Sequence, residues 1–510
     1  MLLCWLLFIP FIGGALCWLV GRGNSEGAAP RWIAFASMAL VFIPALWLWV
    51  TGDFSLAGLG GNAPHWQREL SVPWIPAFGI DFHLAIDGLS LIMVLLASLL
   101  GMLAVACSWS QVRERVGAFH MNLMWTLGGV IGIFLAIDLF LYFFFWELML
   151  IPMYFLIALW GHGEFDRASH VRAAVKFFIY TQASGLLMLA SILGVVFVHY
   201  AQTGDLTFNY NALLHTQLGD GLGMVLMLGF FIAFAVKLPA VPFHGWLADA
   251  QANSPSSGAV DLSGILVKTA AYGFLRLALP LFPESSAAFA PIAMTLGVIS
   301  IYYGAVMAFA QTDMKRLISY SSISHMGFIL VGLYAGTLLS LQGVMIQVVA
   351  SAVSTAALFI LAGQLYERMG TRDMRQLGGL FGRLGALPGF ALIFVVASLG
   401  MPATANFIGE FLILFGAFAA WPWIVVVASG GMILAAVYAL YLMHRVYWGT
   451  PSGEDTIARM SAREYTIMMT LVVVTLIVGL FPQTILSVSQ TTMTEVSHWF
   501  ATGLAASSAS

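Results

Sequence analysis

Residues 121–160 read MNLMWTLGGVIGIFLAIDLFLYFFFWELMLIPMYFLIALW. The stretch holds two acids, Asp138 and Glu147, and neither lysine nor arginine. A membrane-spanning helix takes about 20 predominantly apolar residues. The length therefore suits two spans folded back at Asp138, which leaves Glu147 in the middle of the second. A carboxyl group there has no water to solvate it, so the residue needs a partner or a purpose.

The rest of the chain extends this pattern. Of 510 residues, 61% are hydrophobic and 8% charged, against roughly 25% charged in a soluble domain; the mean hydropathy is +0.93. So few charges cannot cover a soluble globule. The composition excludes a soluble enzyme, a disordered chain and a disulfide scaffold. The net charge of -3 gives no footprint for nucleic acid. Cys4, Cys17 and Cys107 lie in apolar stretches, with no CxxC and no Cys/His cluster, so no metal or iron–sulfur site is expected. No GxGxxG opens a helix, so no dinucleotide site is signalled. Residues 2–20 lack a basic leader and a small-residue cleavage site and read as the first span.

Scanning by length gives fourteen spans, near 2–20, 32–50, 84–108, 121–137, 139–160, 174–200, 224–243, 258–280, 288–311, 316–335, 342–366, 385–418, 422–447 and 465–485. With the N-terminus outside, the inward loops and their flanks hold 16 of the 20 basic residues, from Arg22 through Arg167 to Arg463, and the outward ones only Arg68. That split follows the positive-inside rule, and one missed span would spoil it. Both termini are expected outside. The long outward loops, 51–83 and 201–223, are too short for separate domains. The tail 486–510 is polar, and its Ser/Ala-rich end is expected to be mobile.

Four charges stand out within spans: Glu147, Lys237, Lys268 and Glu410. At roughly 2.5–3.5 kcal/mol each on insertion scales, they cost on the order of 10–14 kcal/mol if left alone. Two acids and two lysines can offset this by pairing as structural ion pairs, although a buried pair is weak evidence of stability. The functional reading is a proton relay: burial disfavours the charged form of either group, so each can take up or release a proton as a neighbour moves. His325, in the hydroxyl-rich Ser321-Ser322-Ile323-Ser324-His325, reads either as a packing residue or as a hydrated site. Asp87 at a span edge reads as a cap. Asp261 and Arg276 flank Lys268 by seven and eight residues, which on a regular helix sets all three on a similar face.

Two spans carry breaks. Pro239 and Pro242 follow Lys237, and Met401-Pro402 precedes Asn406, Gly409 and Glu410. Proline frees carbonyls that are tolerated at membrane depth only where protein or water satisfies them. The broken spans are the seventh and twelfth, each the fourth of five in units 4–8 and 9–13. An odd number of spans gives the units opposite topology, the layout of an inverted-repeat transporter. The expected architecture is an all-α polytopic membrane protein of 14 transmembrane helices with two inverted five-helix repeats, each with a broken helix. Its parts are 1–120 (helices 1–3), 121–280 (first repeat), 281–448 (second repeat) and 449–510 (last helix and tail).

These residues also carry a likeness. Phe145-Trp146-Glu147-Leu148-Met149-Leu150-Ile151-Pro152-Met153-Tyr154, Phe178-Ile179-Tyr180-Thr181-Gln182-Ala183-Ser184-Gly185, Lys237 to Trp246, Gln311-Thr312-Asp313-Met314-Lys315-Arg316-Leu317 and Ser324-His325-Met326-Gly327 resemble, along the whole chain, the antiporter-like subunits of bacterial respiratory complex I, the proton-translocating NADH:quinone oxidoreductase. Glu410, where sister chains typically carry lysine, resembles the M type. The resemblance implies a translocase subunit of the bacterial inner membrane, with both termini periplasmic and no redox centre of its own. Glu147 would be the acid paired with Lys237, Lys268 the central lysine, His325 part of the linking path and Glu410 the exit-side acid. FMN, iron–sulfur clusters and quinone would belong to partner subunits. The partners implied are other membrane-arm subunits, sister antiporter-like chains among them, and the surrounding lipids.

Several positions depart from the family pattern. Leu247-Ala248-Asp249-Ala250-Gln251 stands for Leu-Pro-Asp-Ala-His, Ser254-Pro255-Ser256 for Ala-Pro-Thr, Ser351 for a histidine, and Ala403-Thr404-Ala405-Asn406 for Gly-Thr-Gly-Asn. Gln and Ser hold water but do not titrate near neutral pH, and alanine restricts the backbone where glycine would not. The rival readings are a subunit of a multisubunit cation/proton antiporter or membrane-bound hydrogenase, which the same fold serves, and a structural spacer with a closed path.

Overall fold

The computed structural model describes residues 1–22, 28–54, 64–162, 168–449 and 458–509. Among these, twelve helices are long and apolar enough to cross a membrane. They are α1 (Leu2–Gly21), α2 (Ala29–Thr51), α3 (Gly88–Gln111), α4 (Val116–Leu135), α5 (Leu139–Trp160), α6 (Ser169–Thr203), α9 (Ser256–Leu281), α10 (Pro283–Phe309), α11 (Met314–Ala335), α12 (Leu338–Met369), α15 (Pro422–Val446) and α16 (Ala462–Leu480). The segments with breaks are shorter helices: α7 (Asp220–Lys237) and α8 (Leu247–Asn253) around the first, α13 (Leu387–Ser398) and α14 (Ala405–Phe418) around the second. A last helix, α17, spans Gln483–Ala509.

The turn at Asp138 is as expected. Its carboxylate accepts from the N–H groups of Phe140 (2.9 Å) and Leu141 (3.0 Å), capping α5. Such a cap satisfies orphan donors of the first turn and typically stabilises by about 1 kcal/mol. Asp87 likewise caps α3 through Ser90 N–H at 2.9 Å, and it also pairs with Arg276.

Basic residues collect at one end of the bundle and tie its loops together. Arg31 donates to the Val112 carbonyl (3.0 Å), Lys315 to that of Ser254 (3.0 Å) and Arg463 to the Ser110 hydroxyl (2.9 Å). Arg368 grips Glu464 with two bonds of 3.0 and 2.9 Å, and Glu464 in turn closes a capping box with Ser461 on α16. Arg167 lies outside the described residues.

Three findings depart from the expectations. First, an antiparallel hairpin, β1 (Arg68–Ile75) and β2 (Ile80–Ile86), occupies part of the long loop after α2 and the first residues of the expected third span. It turns at Gly79, whose φ of +65° is a left-handed conformation suited to glycine, and docks through Asp81 N–H on Asp138 (3.1 Å). Second, the tail is helical from Gln483 to Ala509, where no element was expected. Ile485, Val488, Met493, Val496 and Phe500 are buried at the spacing of one helical face. That face packs on α3, α10 and α12, with Thr492 bonding Asp87 at 2.8 Å and Ser497 the Gly336 carbonyl at 3.0 Å. Third, α9 is not a regular α-helix. Leu262–Leu266 and Phe274–Ala278 are π turns, which shift the helical phase. The seven- and eight-residue spacings therefore do not align Asp261, Lys268 and Arg276. Arg276 turns to Asp87, while Lys268 bonds the Ser263 carbonyl.

Candidate functional site

The candidate residues lie in three groups within the helical core. In the first, α7 ends at Lys237 because Pro239 and Pro242 cannot continue it. Freed carbonyls find other donors: the Trp246 indole bonds Val236 O at 2.8 Å, and Ala240 N–H bonds Ala235 O at 2.9 Å. Lys237 is 1% exposed. Its ammonium lies over the Trp146 ring, 3.7 Å from the centroid, and 3.9 Å from the Met149 sulfur. Glu147, next to that tryptophan on α5, is half-buried, and its Oε1 has no partner among the described residues. It rests against Gly185 of α6, where a Cβ would come within 2.0 Å of Oε1. No direct ion pair joins Glu147 to Lys237; the indole takes the place of the carboxylate expected there.

Lys268 forms the second group. It is fully buried, and its one hydrogen bond runs 3.0 Å to the Ser263 carbonyl. The π turn Leu262–Leu266 shapes this part of the helix, with Val267 N–H bonding back five residues to Leu262 O at 3.2 Å.

The third group forms at the second break. Glu410 sits in the second turn of α14, 1% exposed. Its Oε1 meets His325 Nδ1 at 2.9 Å and accepts from Gln347 Nε2 at 3.1 Å. Oε2 has no partner among the described residues, nor does His325 Nε2. Oε2 faces Gly400, where a Cβ would lie 3.2 Å away. A carboxylate with one oxygen engaged and one free, beside an imidazole with a free nitrogen, can accept, hold and pass a proton.

The structure thus joins His325 to Glu410 directly, sets Lys237 beside the Glu147 turn across an aromatic ring, and leaves Lys268 apart. Sequence reasoning missed Gln347 and the role of Trp146. Gln347 is one of three glutamines in the 342–366 span, beside Ser351, Ser354 and Thr355, so its place among them did not single it out; nothing marks the second short of the fold. The departures fall near these groups. Gln251 is fully buried with both amide atoms unpartnered among the described residues, and Ser351 bonds back to Val348 O at 3.3 Å. No cluster of three or more metal-ligating side chains occurs among the described residues.

Helical breaks lined by buried acids and bases at membrane depth define a transporter-like polytopic membrane protein. More particularly, the chain belongs to the NADH:quinone oxidoreductase/Mrp antiporter transmembrane family, whose pattern matches residues 136–435. It is 56% identical over 505 residues to NADH-quinone oxidoreductase subunit M of Pseudomonas aeruginosa, covering 99% of both chains. It is 57% identical over 503 residues to the subunit M of Escherichia coli, covering 98% of both. Its fold matches a chain of respiratory complex I from Thermus thermophilus solved with bound NADH, with a TM-score of 0.87 at 30% identity over 98% of this chain and 100% of that one.

Proposed function

We propose that this chain is a proton-translocating membrane-arm subunit of NADH:quinone oxidoreductase, carrying protons through Glu147, Lys237, Lys268, His325 and Glu410 as quinone is reduced elsewhere in the complex. The observation that carries this reading is that Lys237, Lys268, His325 and Glu410 are each 2% exposed or less, yet are held by one or two partners at or beside irregular helix. A merely structural core would be as stable with apolar residues there.

In this reading each of the two broken segments counts as one span, which gives fourteen. Helices 4–8 and 9–13 are inverted repeats, within parts 1–120, 121–280, 281–448 and 449–510. The basic end faces the cytoplasm of a bacterial inner membrane, and both termini face the periplasm. Sister antiporter-like chains and other membrane-arm subunits flank it, and FMN, iron–sulfur clusters and quinone reside in partner subunits. With Lys237 held over Trp146, the Glu147–Lys237 pair stands open; approach of the ammonium to Glu147 would close it. Moving one charge through 100 mV takes about 2.3 kcal/mol, equal to roughly two pKa units. Making or breaking a desolvated pair supplies that; a surface pair does not.

The test uses the assembled complex in proteoliposomes. Lys237→Ala and Glu147→Gln are each expected to lower the protons moved per electron while NADH oxidation persists. Full stoichiometry in both variants would sink the reading. Co-purification of the chain with NADH:quinone reductase activity checks the partner set.

A further inference from the structure

One buried acid on α9 has no part in the path described so far. Asp261 is 1% exposed, and neither carboxylate oxygen has a hydrogen-bond partner among the described residues. Ser257 lies one turn nearer the basic end, on the same α-helical face. Its hydroxyl is unpartnered too, as are that of Ser263 and both amide atoms of Gln251. A dry core does not hold four such groups, since each unmade hydrogen bond costs about 1–3 kcal/mol. Buried polar groups left without protein partners are ordinarily satisfied by water.

The polar run continues toward the basic end. Ser256 Oγ and Gln111 Nε2 lie 2.1 and 3.3 Å from where a Cβ on Gly363 would sit. Glycine at 363 therefore lets Ser256 of α9 and Gln111 of α3 close directly onto α12, and a side chain there would collide with Ser256. Beyond Gln111 lies a small polar cavity bordered by Gln364, Glu367 and Arg463. Gln364 Oε1 and Arg463 Nε are themselves without partners among the described residues. In the other direction, Lys268 stands seven residues past Asp261, roughly 10 Å along a helix. Its ammonium is turned back onto the carbonyl of Ser263, which lies between the two residues in the chain.

We infer that Asp261 is a proton-carrying residue that loads Lys268 from the basic end, supplied along the polar contact of Ser256 and Gln111 at Gly363. This rests on the proposed reading of the chain as a translocator. The step balances simply. Protonated Asp261 gives its proton through water to the neutral Lys268 amine, leaving carboxylate and ammonium. The carboxylate is then reprotonated from water in the cavity at the basic end.

The experiment measures protons moved per electron in proteoliposomes of the whole complex. Asp261→Asn and Lys268→Ala are expected to lower the ratio to the same level, the double variant no further, and Asp261→Glu, which keeps the carboxyl, to pump near the original ratio. If Asp261→Asn fails to assemble, Asp261→Ser takes its place. An unchanged ratio in the Asn or Ser variant beside a lowered one in Lys268→Ala overturns the role of Asp261 alone. So does an additive loss in the double variant. An unchanged ratio in Lys268→Ala overturns the translocator reading itself.

Discussion

Lys237 rests its charge on an indole where a carboxylate was expected, and the difference bears on how the residue works. A desolvated cation–π contact contributes about 2 kcal/mol. A closed buried ion pair is far harder to open, since breaking one costs about 3–5 kcal/mol. The ring thus holds the ammonium beside Glu147 without trapping it there. His325 and Glu410 are the opposite case, in contact at 2.9 Å. Because they act as a unit, Glu410→Gln and His325→Ala should each lower proton translocation, and the double variant should lose less than the two losses combined. Losses that simply add, in a double-variant cycle of proton-to-electron ratios, would show that the contact does not couple them. Glu147, Lys237, Lys268 and Glu410 were legible in the sequence because a charge inside an apolar run stands out. Of their partners only His325 was; Trp146, Gln347 and the Ser263 carbonyl are ordinary constituents of a membrane helix until the fold turns them toward a charge.

The breaks in α7 and α13–α14 were legible from proline and from length. Their internal geometry was not. Ala403, in the second break, holds a φ of +76°, a left-handed conformation that costs a residue with a Cβ roughly 1–2 kcal/mol. Ala403→Gly should relieve this strain and stabilise the protein by about 1 kcal/mol, read as a higher midpoint of thermal unfolding in the purified complex. No gain would mean that the break accommodates the Cβ without strain. The π turns of α9 escaped sequence reasoning because no residue type marks them. They arise where Lys268 and Arg276 find partners off the regular helical spacing. The helix of the tail was not foreseen because its many Ser and Thr residues hid an apolar face, whose spacing from Ile485 to Phe500 was there to be counted.

At the scale of the molecule, the basic residues and the hairpin mark opposite ends. Cysteines placed at the exposed positions His65 and Asp205 should react with an impermeant thiol reagent from one side of the membrane, and those at Arg113 and Gly382 only from the other. The background should lack Cys4, Cys17 and Cys107. Labelling of all four from one side would overturn the span count between them. The helix Gln483–Ala509 adds a matter of timing. It seats on α3, on the start of α10 through Gly503 against Pro283, and on the end of α11 through Ser497 against Gly336. These surfaces are synthesised well before it. During biosynthesis the earlier helices must therefore wait in the bilayer with their hairpin-side surface uncovered, until the ribosome has released the segment that closes it. Premature stops shortly before residue 483 would leave every proposed proton carrier in place and still yield a chain that quality control can recognise as unfinished.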